Sequence, residues 1–295
     1  MRADRLAPVT DVTGDLSDPR TLRDTLRKHG ARAATSLGQR FLVDSSVLRA
    51  IVDSAEVGPQ DDVLEVGPGP GVLTRELAER ARTVTAVEVD ERMVRVLADT
   101  LADRPNATVV HADALSVDLF TAGPRPTRIV ANLPYQITSP LVMRFIGDPR
   151  RPPLVVVLVQ EEVAKRMVAD EHQAKVRGFL SIFVQSFATA RIARRVPPRA
   201  FRPPPKVHSA VVALRTHDRP LFAPLAQEPF LRLVSDAFRH RRKQLRSALG
   251  HEAGIERERA GAALASCDID PRRRPEELAL AEWVRLAKAL GVPEG

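Results

Sequence analysis

The stretch Asn132-Leu133-Pro134-Tyr135 brings an amide, a main-chain carbonyl and a flat aromatic ring together within four residues. It follows the apolar run 129–131, a pattern typical of a β-strand that ends there. An amide oxygen and a carbonyl can both accept hydrogen bonds from an exocyclic amino group, and Tyr135 can stack on the base that carries it. The same residues also fit a strand that ends in a proline turn with a packed aromatic. Taken alone, the stretch leaves both interpretations open.

Three earlier segments also place glycines or acids directly after an apolar run. Residues 62–66 break into Gly67-Pro68-Gly69-Pro70-Gly71, the run 83–88 ends at Glu88, and the run 108–110 leads to Asp113. Glycine lets a ligand approach the backbone closely, and Glu88 follows the glycines by about 20 residues, a spacing at which an acid meets ribose hydroxyls. Asp113 could accept from an adenine amino group. No Lys-Ser/Thr pair follows the glycines, which excludes a P-loop. S-adenosylmethionine therefore fits better than NAD.

The order of the elements predicts a doubly wound α/β sheet, because strands alternate with helical stretches through most of the chain. Asp18 and Asp44 are the expected caps of two early helices. The expected strands are 62–66, 83–88, 108–110, 128–132, 154–159 and a final strand at 209–214 that pairs with the run near Ile192. Helical spacing then continues from about residue 225. We expect a disordered tail over 1–17, an α/β domain over 18–218 and a small all-helical domain over 219–295.

Composition and charge narrow the class of protein. The net charge of the 295-residue chain is +8, and residues 191–246 carry fourteen Lys or Arg against three acids, which indicates a polyanion-binding face. Cys267 is the single cysteine, so an internal disulfide and a multi-cysteine zinc site are excluded. Histidines without metal-ligand spacing predict no metal. We expect a cytoplasmic protein without a membrane span, because neither a signal peptide nor a long apolar run is present.

In this order, the motifs resemble those of the KsgA-type family of rRNA adenine N6-dimethyltransferases, from about residue 21 to 290. The matching pieces are Leu37-Gly38-Gln39, Glu65-Val66-Gly67-Pro68-Gly69, Glu88, Asp113-Ala114, Asn132-Leu133-Pro134-Tyr135, Val196-Pro197-Pro198, 201–207, 209–212, the basic stretch 238–246 and Leu249-Gly250. The resemblance implies a Rossmann-like, seven-stranded S-adenosylmethionine-dependent methyltransferase sheet with a small C-terminal all-helical domain. It also implies a monomeric enzyme that dimethylates two adjacent adenines in the 3′-terminal hairpin of 16S rRNA, within the pre-30S subunit.

The resemblance also assigns roles to individual residues. It places at the cofactor Gln39, Arg40, Leu42, Gly67, Gly69, Glu88, Val89, Asp113, Ala114 and Asn132, and at the target adenine Asn132, Leu133, Pro134 and Tyr135. Three residues depart from the usual family pattern. Arg40 stands where Asn is usual, which puts its cofactor contact in question, Arg177 stands where Tyr is common, and His208 replaces an Asp.

Two further sets of residues are expected to contact the RNA. Phe201 is a candidate to stack on the second face of the adenine, although a core aromatic beneath a proline turn fits the sequence as well. The basic residues are expected to meet the RNA backbone, beside the pocket through Arg191, Arg194, Arg195, Arg199, Arg202 and Lys206, and on the first helices of the helical domain through Arg239, Arg241, Arg242, Lys243 and Arg246.

Three alternatives remain open. A macrolide-resistance-type 23S rRNA adenine methyltransferase shares the core, but its strand-end motif more often reads Asn-Ile-Pro-Tyr than Asn-Leu-Pro-Tyr. A non-catalytic ribosome-assembly factor on the same fold would not need intact residues at the cofactor site and the target-adenine site. The sequence keeps both sets, which argues against this alternative. A DNA adenine methyltransferase commonly has Asn/Asp-Pro-Pro-Tyr and a separate target-recognition domain, which the sequence does not indicate.

Overall fold

The structure, a computed structural model, describes residues 14–33, 38–251 and 254–295. Two expectations concern residues that lie partly outside the described ones. Residues 1–13 of the expected tail are not described, and neither is Leu37, the first residue of the motif Leu37-Gly38-Gln39. Within the described part, Leu16 is 3% exposed and belongs to the same apolar cluster as Leu42 and Val47. The end of the expected tail is therefore part of the folded core.

The helices and strands follow the predicted alternation. In chain order they are α1 (Pro19–Lys28), β1 (Phe41–Leu42), α2 (Ser45–Ala55), β2 (Asp62–Val66), α3 (Val72–Ala78), β3 (Thr83–Glu88), α4 (Glu91–Thr100), β4 (Ala107–His111), β5 (Arg128–Asn132), α5 (Thr138–Gly147), β6 (Leu154–Gln160), α6 (Glu161–Val168), α7 (Phe179–Phe187), β7 (Ala188–Val196), β8 (Phe201–Arg202), β9 (Ser209–Thr216), α8 (Gln227–Arg239), α9 (Leu245–His251), α10 (Arg257–Ser266) and α11 (Leu280–Ala289).

Local sequence sets the helix starts. The Asp18 carboxylate accepts hydrogen bonds from the amides of Arg20 and Thr21 at the start of α1. Asp44 does the same for the first amides of α2. Each carboxylate satisfies amides that have no partner within the helix. Both predicted caps are confirmed.

Seven strands form one sheet in the order β4-β3-β2-β5-β6-β9-β7. The strands β2 to β6 are parallel to one another, and β9 runs antiparallel to both β6 and β7. The pairing of β7 with β9 confirms the expected pairing of the last strand with the run near Ile192. The expected seven-stranded Rossmann-like architecture is confirmed as well.

The strand order reverses at β2, and this reversal locates the crevice. From β2 the chain adds β3 and β4 on one side, and later β5 and β6 on the other. In open α/β sheets, ligands bind outside the carboxyl ends of the strands at such a switch point. Residues 67–71, after β2, and residues 133–135, after β5, both lie at this edge.

Buried strands account for the uninterrupted apolar runs. In β6, every residue from Leu154 to Val159 is at most 3% exposed. Helices or strands must therefore cover both faces of the sheet, and a valine-rich run without alternation is what such a strand requires.

The C-terminal helices pack directly on the α/β part. Phe187 of α7 meets Phe222 edge to face, with ring centroids 5.5 Å apart, and Phe222 stacks on Phe230 of α8 at 4.7 Å. Trp283 of α11 is fully buried in the same apolar cluster as Ile129 in the sheet. The predicted helical region is confirmed, while the boundary expected at 218/219 marks a change of architecture without a break in the core.

Two searches concern the described residues only. None of their helices has the length and apolar character that crossing a membrane requires. They also contain no group of three His, Cys, Asp or Glu side chains that could hold a metal ion.

Candidate active site

A cleft opens at the carboxyl edge of β2, β3 and β5. It is lined by all of the residues that the sequence assigned to the cofactor and, apart from Phe201, to the adenine: Gln39, Arg40, Leu42, Gly67, Gly69, Glu88, Val89, Asp113, Ala114, Asn132, Leu133, Pro134 and Tyr135. The fold thus gathers five separate segments around one space.

The glycine turn requires its glycines. Gly67, Gly69 and Gly71 have φ values of +70°, +56° and +91°, a region that residues with a Cβ rarely adopt. A Cβ on Gly69 would lie 3.0 Å from Cε1 of Phe41. The turn therefore presents bare backbone to the cleft.

Glu88 joins the glycine turn to the end of β3. Its Oε2 accepts from the Gly69 amide at 3.1 Å, and its Oε1 accepts from the amides of Val89 and Asp90 at 2.9 and 2.8 Å. Burial raises the pKa of this carboxyl, while the three backbone hydrogen bonds oppose that rise. A carboxylate has about four acceptor positions, so Glu88 can still accept a hydroxyl from a ligand.

Glu65, at the same edge, is a cleft residue that the sequence interpretation did not assign to the site. It is 1% exposed, and its Oε2 has no hydrogen-bond partner. Burial, together with the neighbouring Glu88 charge, raises the pKa of Glu65 to about 8. An acid inside the apolar run Val63-Leu64-Glu65-Val66 was the signal that could have identified it, because buried carboxyls rarely lack a partner or a function.

The opposite part of the cleft offers apolar surface and a second acid. Val89 is 52% exposed, unusual for a large apolar side chain next to a strand. Asp113 is exposed; its Oδ1 accepts from the Leu115 amide at 2.8 Å, and its Oδ2 has only a long contact, 3.4 Å, to the Ser116 hydroxyl. A flat heterocycle can pack on Val89 while Asp113 Oδ2 accepts its amino group.

Asn132 is held by the backbone of Arg40. Its Nδ2 donates to the Arg40 carbonyl oxygen at 3.0 Å. This hydrogen bond fixes the amide orientation, and it leaves Oδ1 as the acceptor that can face the cleft. Arg40 therefore contributes through its main chain. Any residue at this position would supply the same carbonyl, so this contact does not depend on the departure from the family pattern.

The Leu133 carbonyl is a second acceptor beside Asn132. Leu133 is 2% exposed and its amide donates to the Leu158 carbonyl at 3.1 Å, which anchors the chain at the end of β5. Within the described residues the Leu133 carbonyl receives no main-chain hydrogen bond, since the following turn is closed by Ile137 donating to Pro134. Two oxygens at successive residues thus remain available.

Tyr135 is half-buried and anchored at its far end. Its hydroxyl and the Ser209 hydroxyl are 2.7 Å apart, and Ser209 begins β9 with no exposed surface. Burial raises the pKa of Tyr135. The ring is thereby held in one orientation at the cleft, as a stacking platform requires.

Phe201 does not line the cleft in this structure, so its position gives no support to the expectation that it stacks on the adenine. Its ring is fully buried in the apolar cluster that contains Leu42 and Val47. The physical reason is the antiparallel pairing of β8 with β1, which sets Phe201 opposite Leu42. This burial favours the core-aromatic interpretation.

Gln39 is fixed from the neighbouring element. Its Nε2 donates to Oδ2 of Asp90, the N-cap of α4, at 3.0 Å. Asp90 in turn pairs with Arg92 at 2.7 Å. The segment before β1 is therefore tied to the end of β3 where Glu88 lies.

The basic residues divide into exposed and structurally engaged ones. Arg191, Arg195, Arg199, Arg202 and Lys206 are exposed. Of these, Arg195 lies 3.6 Å from Glu161, and Arg202 donates to the Arg199 carbonyl at 3.1 Å. Arg194 instead donates to the carbonyl and hydroxyl of Ser46 at 2.8 Å each, so its guanidinium stabilises the start of α2.

The second basic group was expected on the first helices of the helical domain, but most of it lies in a turn between two helices. Arg239 ends α8, Arg241, Arg242 and Lys243 lie in the connecting turn, and Arg246 belongs to α9. The side chains of Arg242 and Lys243 are exposed, whereas Arg246 donates to the Arg257 carbonyl at 3.2 Å. Residues 239–243 are called the basic turn below.

The other two departures from the family pattern have different surroundings. His208 is exposed, and its carbonyl accepts from the Glu161 amide at 3.0 Å. Arg177 is fully buried and donates to carbonyls of the C-terminal segment. Neither lines the cleft.

Comparison with known proteins gives a consistent picture. The chain matches the family model described as "Ribosomal RNA adenine dimethylase" over residues 30–291. The protein named Ribosomal RNA small subunit methyltransferase A in Enterococcus faecalis is 40% identical over 285 residues, which covers 94% of this chain and 96% of the relative. The one of the same name in Moorella thermoacetica is 41% identical over 275 residues, 90% of this chain and 95% of the relative.

Two solved structures are similar over most of the chain. A dimethyladenosine transferase from Plasmodium falciparum has a TM-score of 0.73 at 24% identity, covering 85% of this chain and 98% of that one. The 23S rRNA methyltransferase ErmE has a TM-score of 0.64 at 30% identity, covering 85% and 99%. Both structures share the fold of this chain.

Proposed function

This chain belongs to the ribosomal RNA adenine dimethylase family, and from that premise we propose that it dimethylates N6 of two adjacent adenines in 16S rRNA. The proposed target is the 3′-terminal hairpin loop, modified late in small-subunit biogenesis. The observation that carries the proposal is the pair of available acceptors, Asn132 Oδ1 and the Leu133 carbonyl, at the edge of the cleft.

The cleft supports S-adenosylmethionine as the methyl donor. Glu88 would accept from a ribose hydroxyl, Val89 would pack on adenine, and Asp113 would accept from its amino group. The Glu65 carboxyl is buried in the same cleft, and its Oε2 has no hydrogen-bond partner. When bound, S-adenosylmethionine supplies a methyl group on an electrophilic sulfonium. Acidic side chains are compatible with this positive charge, whereas they would repel the negative charge of phosphates.

The acceptor pair addresses the chemical difficulty of the reaction. The lone pair of an adenine N6 is delocalised into the ring, so N6 is a weak nucleophile. In the first transfer, Asn132 Oδ1 and the Leu133 carbonyl would accept its two hydrogens and draw nitrogen toward a tetrahedral geometry that frees the lone pair. In the second transfer, one of the two oxygens would accept the single hydrogen that remains. Each transfer forms the N6–methyl bond, breaks the sulfur–methyl bond to release S-adenosylhomocysteine, and releases one proton from N6. Both oxygens are fixed before substrate arrives, by the Arg40 carbonyl and by the anchor to Leu158. Positioning of this kind can supply a large part of a rate enhancement.

Tyr135 would hold the flipped adenine. Removing a base from its stack costs a few kcal/mol, and stacking on an aromatic ring returns about 1–3 kcal/mol per base. With its hydroxyl anchored to Ser209, the ring loses little freedom when the base arrives. Because Phe201 is buried, a single aromatic platform is assigned to the described part of the cleft.

The RNA backbone would contact two exposed basic groups. One contains Arg195, Arg199, Arg202 and Lys206 beside the carboxyl edge of the sheet, and the other is the basic turn. Folded RNA is recognised largely through shape and phosphates, for which exposed guanidinium and ammonium groups are suited. We propose that the enzyme acts as a monomer in the cytoplasm on pre-30S particles.

Substitution of Asn132 tests the acceptor pair. We expect Asn132→Ala to reduce kcat by roughly 10²–10³-fold, the usual effect of removing a preorganised polar contact to a reacting group. RNA affinity should change little. Arg40→Asn is the matched control, since it keeps the carbonyl that holds Asn132, and it should retain transfer within a few-fold. Near-normal turnover in Asn132→Ala would overturn the assigned role.

The substrate itself is tested by mapping methylated adenines. Unmethylated small and large subunits are incubated separately with the protein and S-adenosylmethionine, and modified adenines are located by mass spectrometry. Dimethylation in 16S rRNA alone is the expected result. Modification of 23S rRNA alone would favour the activity in the name of ErmE, and cofactor binding without transfer to either rRNA would favour an assembly factor.

A further inference from the structure

Arg177 is a fully buried arginine at the junction between the α/β part and the C-terminal helices. It precedes α7, and its relative exposure is 0%. Its Nη1 donates to the carbonyl oxygens of Glu276, at 3.2 Å, and Leu278. Its Nη2 donates to Oε1 of Gln185 on α7 at 3.1 Å. One guanidinium thus connects α7, which contains Gln185, with the segment around Glu276, about 100 residues later in the sequence.

The same contacts extend to the basic turn. Nε of Arg241 lies 3.9 Å from Oε1 of Glu276, and its Nη2 donates to the Lys175 carbonyl at 3.4 Å. Gln185 in turn donates to the Ala169 carbonyl, just after α6, at 2.9 Å. A continuous set of polar contacts therefore runs from the end of α6 through Arg177 to the basic turn.

This arrangement is costly as a means of stability alone. The hydrogen-bond acceptors of Arg177 are neutral oxygens, its Nε has no partner, and Oε2 of Glu276 has none either. Burial lowers the pKa of the Arg177 guanidinium. An apolar or aromatic side chain would fill the same space without desolvating a charge, which usually costs several kcal/mol. The guanidinium instead adds a fixed geometry, because its planar set of N–H donors holds several acceptor oxygens in place at once.

We propose that Arg177 is a positioning residue for the RNA substrate: it fixes the basic turn relative to the methyl-transfer cleft. The inference rests on the proposed function, since it assumes that the basic turn contacts RNA. Arg177 touches neither the cofactor cleft nor the acceptor pair, so it acts through the geometry of the turn. Contacts with the RNA backbone are the same before and during methyl transfer, so their loss should raise KM and leave kcat unchanged.

The first experiment separates positioning from general stability. Arg177→Lys keeps the charge but loses the fork, and we expect it to raise KM for unmethylated small-subunit particles about tenfold, with kcat and S-adenosylmethionine affinity unchanged. Arg151→Lys is the matched control: Arg151 is half-buried, donates to the His217 carbonyl at 3.0 Å, and lies before β6, at the other edge of the sheet. It should lower Tm without moving KM. Equal KM for Arg177→Lys and wild type would overturn the inference.

A second variant tests the inference independently, in case Arg177→Lys does not fold. Glu276→Gln weakens the link to Arg241 and leaves the backbone carbonyl that Arg177 uses. We expect it to raise KM in the same direction. An unchanged KM in a folded Glu276→Gln protein would count against the proposed connection.

A double-mutant cycle distinguishes this inference from the proposed function. Arg242→Glu/Lys243→Glu removes the charge of the turn and should raise KM by itself. If Arg177 acts through the turn, Arg177→Lys should add little in that background, whereas additive effects would overturn the inference. A rise in KM from the turn variant without any from Arg177→Lys would leave the proposed function standing. Absence of 16S methylation by the wild type would instead refute the proposed function.

Discussion

In the proposed acceptor pair, the two residues would serve chemistry in different ways. Asn132 contributes a side-chain oxygen, but its orientation depends on the carbonyl of Arg40, 92 positions earlier in the chain. Leu133 contributes its main chain, while its side chain is buried. A substitution at Arg40 or Leu133 therefore changes packing or charge while keeping the polar atom that matters.

Glu65 leads to a prediction about pH. Its pKa is raised from 4.5 to about 8 in the folded state, so the folded protein binds more protons than the unfolded one between these values. Stability is therefore greatest at the acidic end of this interval and falls as pH rises toward 8, by a few kcal/mol in total. Denaturant unfolding of the cofactor-free protein from pH 5.5 to 8.5 measures it.

Glu65→Gln is the control for that experiment. It removes the titrating group, so its unfolding free energy should vary less with pH over the same interval. The remaining slope would include the buried Glu88, whose pKa is shifted in the same direction. Parallel curves for Glu65→Gln and the wild type would contradict the assignment.

At the scale of elements, the strand ends do most of the positioning. The glycine turn after β2, Glu88 after β3 and Asn132 after β5 converge because parallel strands present their carboxyl ends at one edge. The Gly69 amide then donates to Glu88, so the turn and the neighbouring strand end fix each other.

Gly69→Ala tests this turn. The φ of +56° costs about 1–2 kcal/mol for a residue with a Cβ, and the new Cβ would also press on Phe41 at 3.0 Å. We expect a lower unfolding free energy and weaker S-adenosylmethionine binding by calorimetry. Gly58→Ala is the control, because a Cβ there meets only Asp61 at 3.8 Å. Unaltered cofactor affinity in Gly69→Ala would contradict a role for the turn.

The sequence predicted these elements well because hydrophobic runs and helix caps are local signals. It placed β2 within residues 62–66 and recognised Asp18 and Asp44 as caps. It left the burial of Phe201 open, since this burial follows from the pairing with Leu42 of β1, 159 residues earlier, which no local pattern encodes. It also assigned the basic turn to helices, because arginine is a good helix former and the turn contains neither glycine nor proline.

On the scale of the whole molecule, one apolar core links the sheet to the C-terminal helices. Ile129 of β5, Phe187 of α7 and Trp283 of α11 belong to the same cluster. The basic turn is therefore carried by a firmly packed unit. Charge on that turn can act at a defined place relative to the cleft.

Salt dependence of RNA binding tests the role of this charge. Each phosphate contact contributes to the slope of log affinity against log salt, by roughly 0.7–0.9 per contact. We expect Arg242→Glu/Lys243→Glu to weaken binding to small-subunit particles at low salt and to flatten this slope, with cofactor affinity unchanged. Arg95→Glu, on the exposed face of α4, is the control and should leave the slope as in the wild type.

The Leu133 carbonyl has a consequence for inhibition of such an enzyme. Half of the proposed amine-binding pair is a main-chain atom, held at the end of β5 by the bond from the Leu133 amide to Leu158. Point mutation changes side chains, so a drug-resistant variant cannot easily delete this acceptor without disturbing the central strand. A compound that donates a hydrogen bond to it from the adenine side would bind the least mutable atom of the site.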